Sequence, residues 1–260
     1  MRLTQAERSG LVLEIVNWIR EKMEGIGATQ GVIGISGGKD STVTAALCVK
    51  ALGSANVHGL MLPNGSQGDL QDGIDICDAL EIPHHIIDIQ PAYDFFVNQV
   101  GRVRGSVSSQ TELNIPPRIR MTMLYGYAQS LENAVVINTS NLSEDWVGYA
   151  TVYGDTAGAF APLGSLTSDE VVQLGAQLGL DDKFITKLPA DGLTGRTDEE
   201  VLGFSYEVLN RYIREGFIED LEVKTKIDRL HRLSRFKFQP IPLFPSNLPI
   251  AIEDLAGIYK

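Results

Sequence analysis

Eight residues, Gly34 to Ser41, read GISGGKDS and gather three glycines, two serines, a lysine and an aspartate between apolar runs. A glycine-rich turn that opens a helix offers free backbone N–H groups and the positive end of a dipole to an anion. The hydroxyls of Ser36 and Ser41 and the ammonium of Lys39 add donors, so phosphate is the ligand this stretch suits. A carboxylate, Asp40, is out of place among phosphates unless a cation such as Mg2+ lies between them, or unless it is simply a helix cap. The Walker A spacing is not met, because Gly34 to Gly38 is one residue short and Lys39 is followed by Asp40 before Ser41.

Other chemistry-bearing residues are sparse. Cys48 and Cys77 form no C-x-x-C pair and sit in apolar helical patterns, which suits inert buried thiols. His58, His84, His85 and His231 lie on or beside apolar runs and read as packing or surface residues.

The elements around the glycine turn alternate. GVIGI (31–35), NVHGLML (56–62), HHIIDI (84–89) and AVVIN (134–138) read as strands. Helical patterns fall at 40–52, 69–80, 91–100 and 116–131, with a polar loop expected at 101–114. This order predicts an α/β fold, a parallel sheet flanked by helices, whose ligands bind beyond the carboxyl ends of the strands. The loops after Ile35, Leu62 and Asn138 should therefore converge on one crevice. Residues 139–166 are rich in Gly, Ser, Thr and Asp, as a loop-built site would be, and helices return at 167–179, 203–215 and 218–234. A turn-rich insert spans 188–200, and a Pro-rich tail follows the last helix. No repeat or linker divides the chain, so 1–260 reads as one domain.

Composition narrows the function. A formal charge of −11, from 33 acidic and 22 basic residues, argues against affinity built on nucleic-acid phosphates. Leu11, Ile15, Trp18, Ile19 and Met23 make the N-terminal segment amphipathic, and no signal peptide or membrane span is visible, so a cytoplasmic protein is expected.

SGGKDS resembles the pyrophosphate-binding loop of the ATP-pyrophosphatases, which split ATP between its α and β phosphates. LPNGSQGD (62–69), NIPPRIRMTMLYGYA (114–128), INTSNLSEDWVGYATVYGDTAGAFAPL (137–163) and DGLTGRTDEEVLGFSYEVLNRYI (191–213) follow in order. Together they resemble the ammonia-dependent NAD synthetases over nearly the whole chain. That resemblance implies a Rossmann-like fold of the adenine-nucleotide α-hydrolase type without a glutaminase domain. It also implies a homodimer with the substrate at its interface, and amidation of nicotinic acid adenine dinucleotide (deamido-NAD) by ATP and ammonia.

Carried over by position, Gly34, Ser36, Gly37, Gly38, Lys39 and Ser41 would hold ATP phosphates, with Leu62, Gln67 and Thr139 also on the ATP side. Asp40 and Glu144 would be Mg2+ ligands, with Asp40 counted as catalytic. Arg118, Asp155 and Lys237 would meet the acceptor, and Asp155 would hold or deprotonate the ammonium. Glu144 could instead be a solvated loop carboxylate, and Arg118 an exposed arginine at a helix start.

Five positions depart from the family pattern: Val152 and Ala159 on the acceptor side, Ser168 where many members have a lysine that grips ATP phosphate, Ala190 where many have Thr or Ser, and Phe236 beside Lys237. The departures leave open a ligase acting on a different carboxylate, or an ATP-binding homologue without turnover.

Overall fold

The computed structural model describes residues 2–65, 70–186, 197–246 and 248–250. Its centre is a four-stranded sheet in the order β3-β2-β1-β4, built from Gln30–Gly34 (β1), Val57–Met61 (β2), His84–Ile86 (β3) and Ala134–Val136 (β4). All three pairings are parallel, with Gly31 opposite both Val57 and Val135. The chain runs outward from β1 through β2 to β3, then returns to place β4 on the other side of β1. The crevice between β1 and β4 is therefore the topological switch point where α/β sheets bind ligands.

Side chains of β1 alternate between two apolar layers. Ile33 faces a core built with α1 (Gln5–Gly25), α2 (Lys39–Leu52), α3 (Leu70–Ala79), α7 (Ser168–Gln177) and α8 (Asp182–Ile185). Val32 faces the other, packed with Ile119 and Leu124 of α5 (Ser109–Gln129). The buried stripe of α1 is Val12, Ile15, Val16, Ile19 and Met23, one helical face as its spacing requires. Truncating a fully buried residue such as Ile33 would cost about 2–5 kcal/mol.

A third apolar cluster joins α6 (Leu142–Val147), α9 (Asp198–Leu202), α10 (Tyr206–Glu215) and α11 (Leu221–Ser234) around Val147, Leu209 and Ile227. By contrast, α4 (Gln90–Arg104) has no buried residue in its 15.

The polar loop expected at 101–114 is shorter than the composition suggests. α5 begins at Ser109 and runs through Pro116 and Pro117. Ser108 caps it by accepting from Thr111 N, and Glu112 and Leu113, whose carbonyls lose helical donors to the prolines, are exposed to water. Among the described residues no helix is long and apolar enough to cross a membrane.

Candidate active site

The glycine turn sits where β1 meets α2. Gly37 has φ +80°, a conformation that favours glycine, and it lets the chain reverse directly into the helix. Gly38 is the N-cap of α2 with no side-chain cap bond, so Asp40 is not the cap. The turn is laced by hydroxyls: Ser36 and Ser41 are 3.1 Å apart, Ser36 Oγ accepts from Gly38 N, and Thr42 Oγ1 donates to Gly38 O at 2.8 Å. The helix thus presents its first N–H groups to an anion.

Asp40 turns sideways. One carboxylate oxygen is 2.8 Å from Lys39 Nζ, and the other accepts from Asn141 Nδ2 at 3.0 Å. Asn141, fully buried, caps α6 by accepting from Ser143 N and Glu144 N. That cap holds Glu144 with Oε1 4.0 Å from the same Lys39 ammonium. Burial opposes the charge on Lys39, but Asp40, Glu144 and Asp198 outweigh it and the net shift is upward. Burial and the neighbouring Asp40 charge push the Glu144 carboxyl up to about 8. Two oxygen donors beside an open helix N-terminus, one of them held protonated by burial and by its neighbour's charge, fit a Mg2+ that would take the place of that proton and be shared with phosphates.

Asp198 and Tyr206, which the sequence reading did not single out, stand behind this cluster. Tyr206 donates to Asp198 Oδ2 at 3.3 Å, and Asp198 faces Lys39 and Glu144 electrostatically. The only signal was their place in the quoted block DEEVLGFSY.

The opposite wall is hung from the end of β4. Asn138 Nδ2 donates to the carbonyls of Asp155 at 2.6 Å and Ala157 at 2.9 Å, and Ser140 Oγ reaches the Asp155 carbonyl. Gly158 lies directly on Asn138, where a Cβ would come within 2.8 Å of its backbone nitrogen. Tyr153 in this loop holds φ +59°, unusual for an aromatic residue. Asp155 is open to solvent yet ringed by protein, which raises its carboxyl, while Thr151 N and the Arg120 charge oppose that shift.

Thr139 is half-buried at the same strand end, between Asn138 and Ser140. Gly34 closes β1 against Leu124. Leu62 ends β2 with its side chain in the α5-side core and its carbonyl accepting from Arg120 Nε at 3.0 Å. Arg118 is exposed and donates to Val152 O at 3.1 Å. Lys237 Nζ donates to Gly148 O at 2.8 Å and Ala150 O at 2.7 Å, so in the single chain it caps the backbone after α6. Gln67 and Ala190 fall outside the described residues.

Ser168 is held in a buried hydrogen-bond network with Ser143 and Asn210. Its Oγ accepts from Asn210 Nδ2, its N–H donates to Ser143 Oγ, and Ser143 Oγ donates to Asn210. This buried, satisfied network leaves no room for a long cation at that position. Both cysteines are free and buried, with thiols pushed up to about 12, as expected of inert residues.

Comparison with known proteins identifies the family. The NAD synthase family model matches residues 11–242. An NH3-dependent NAD+ synthetase from Thermococcus kodakarensis is 37% identical over 232 residues, covering 85% of this chain and 90% of its own. A second, from Archaeoglobus fulgidus, is 37% identical over 240 residues, with 90% and 95% covered. The solved NMN synthetase from Francisella tularensis superposes with a TM-score of 0.83 at 33% identity, covering 92% of this chain and 98% of that one. The NH3-dependent NAD synthetase from Campylobacter jejuni gives 0.74 at 30% identity, with 91% and 98% covered. A glycine-rich helix N-terminus and two carboxylates gathered on Lys39 at the switch point of a parallel sheet are thus set in a chain that belongs to the NAD synthase family.

Proposed function

We propose that this chain is an ATP-dependent, AMP-forming amide ligase that converts deamido-NAD to NAD with ammonia. The observation that carries the reading is the meeting of Asp40 and Glu144 on Lys39 at an open helix N-terminus, inside a family match that spans residues 11–242. In this reading the triphosphate lies on the first turn of α2, and Ser36, Ser41 and Lys39 spread the charge of the departing pyrophosphate. The acceptor carboxylate attacks the α phosphorus, pyrophosphate leaves, and the carboxyl gains a leaving group of low basicity. Ammonia then attacks the acyl carbon and AMP departs. Asp155, with its raised carboxyl, is suited to hold ammonium and take up its proton. Asp40 and Glu144 would hold Mg2+, which when bound offsets phosphate charge.

A second reading keeps the chemistry and shortens the acceptor to nicotinic acid mononucleotide. Its support is the likeness to the Francisella NMN synthetase, together with uncharged Val152 and Ala159 on the acceptor side. We further infer a cytoplasmic homodimer. Phe95, Phe96 and Val103 of α4 and Leu113 and Tyr125 of α5 are exposed on neighbouring helices, and a second copy would cover them.

The test incubates the protein with Mg2+-ATP, ammonium and each acceptor in turn, with products read by mass spectrometry. NAD with stoichiometric AMP supports the first reading, and nicotinamide mononucleotide with AMP supports the second. ADP as the nucleotide product would sink both.

A further inference from the structure

Two arginines stand two residues apart on α5, and the structure treats them differently. Arg118 points outward to the Val152 carbonyl and is exposed. Arg120 is half-buried and donates through Nε to Leu62 O at the end of β2, while its charge faces Asp155 across the crevice. No salt bridge closes between Arg120 and Asp155 among the described residues. The Nε bond orients the guanidinium, and among the described residues its two Nη groups have no hydrogen-bond acceptor. A pre-oriented fork of this kind matches a carboxylate or phosphate bidentately. It stands at the Leu62 end of the crevice with Asp155 as its charged neighbour, on the side that the reading above gives to the acceptor.

We propose that Arg120 binds an oxyanion of the acceptor substrate through its Nη fork, and that its anchor on Leu62 O sets where that substrate lies. The inference rests on the nicotinate-nucleotide reading above. The oxyanion is either the nicotinate carboxylate or the 5′-phosphate, two sources with one chemistry. Asp155 facing the fork admits a single anionic group between the two, with the arginine bound to it and the aspartate turned to the incoming ammonium.

Calorimetry on the intact protein separates the sources with three probes. Nicotinic acid mononucleotide carries both groups, nicotinamide mononucleotide only the phosphate, and nicotinic acid riboside only the carboxylate. Arg120→Ala should weaken the first by about 10- to 100-fold, the loss of a charge-assisted pair, with ATP affinity retained. An accompanying loss on nicotinamide mononucleotide alone assigns the phosphate, and a loss on the riboside alone assigns the carboxylate. Arg120→Lys keeps the charge without the fork and should lose about 10-fold. It decides the matter if circular dichroism shows that the alanine variant does not fold. Unchanged affinity for all three probes, or an equal loss of ATP affinity, overturns the proposal. Failure of the wild type to form AMP with either acceptor would remove the function, while the calorimetry would still decide the arginine.

Discussion

Asn141 donates its side-chain amide to Asp40 at 3.0 Å across 101 residues of chain, and accepts the Glu144 N–H on its other end. One buried amide thus sets the separation of the two carboxylates assigned to the metal. Asn141→Ala should cost about 1 kcal/mol of stability as a lost cap, and lower kcat about 10- to 100-fold, as loss of a group that orients ligands does. Asn141→Asp keeps the cap acceptor but buries a carboxylate directly against Asp40, so it should be the less active of the two and have the lower Tm. Equal kcat in both variants and wild type would remove the positioning role.

Glu144 makes the ligand-free protein sensitive to pH. Its carboxyl titrates near 4.5 when unfolded and is pushed up to about 8 when folded. Between those values the folded state binds the extra proton, so stability falls as pH rises through that window. Urea unfolding at pH 5, 6.5 and 8 should show the decline, and Glu144→Gln should flatten it. Parallel slopes in the two proteins would refute the assignment.

Arg214 and Glu170 lock α10 onto α7 with paired bonds of 2.8 and 2.5 Å. Burial alone would raise Glu170, but the guanidinium and the Thr167 N–H more than offset it and hold the carboxyl low. Its stabilising effect is present above the unfolded pKa and lost as pH falls through the folded one. Arg214→Ala strands a buried carboxylate and should cost about 3 kcal/mol at pH 7, read as a lower urea midpoint. The gap from wild type should narrow toward pH 3.

Phe95 and Phe96 pack edge to face, with ring centroids 5.7 Å apart, on the exposed face of a helix that has no fully buried residue. Phe96→Asp should therefore leave far-UV circular dichroism and Tm within about 0.5 kcal/mol of a surface change. Sedimentation velocity should show wild-type dimers and monomers of the variant. A monomeric wild type would withdraw the homodimer.

The sheet and its ligand face were legible because period-two apolar runs and the glycine turn are local signals. The glycine turn, Asp40 and Glu144, which lie in separate blocks of the sequence, are brought together on Lys39. α5 was placed seven residues late, because Pro116 and Pro117 look like a boundary when the exposed carbonyls they orphan can in fact be hydrated. Asn141, Asp198 and Arg120 were passed over for a different reason. Their roles depend on partners 101, 8 and 58 residues away, distances that no spacing rule covers. Lys237 was read as an acceptor contact, yet in the single chain it is bound to the carbonyls after α6.

Gly158 rests on Asn138 so closely that a Cβ there would come within 2.8 Å of the Asn138 backbone nitrogen. Any side chain at 158 would push the loop that carries Asp155 and Ala157 off the amide that seats it at the end of β4, so one missing methyl group sets where that loop stands.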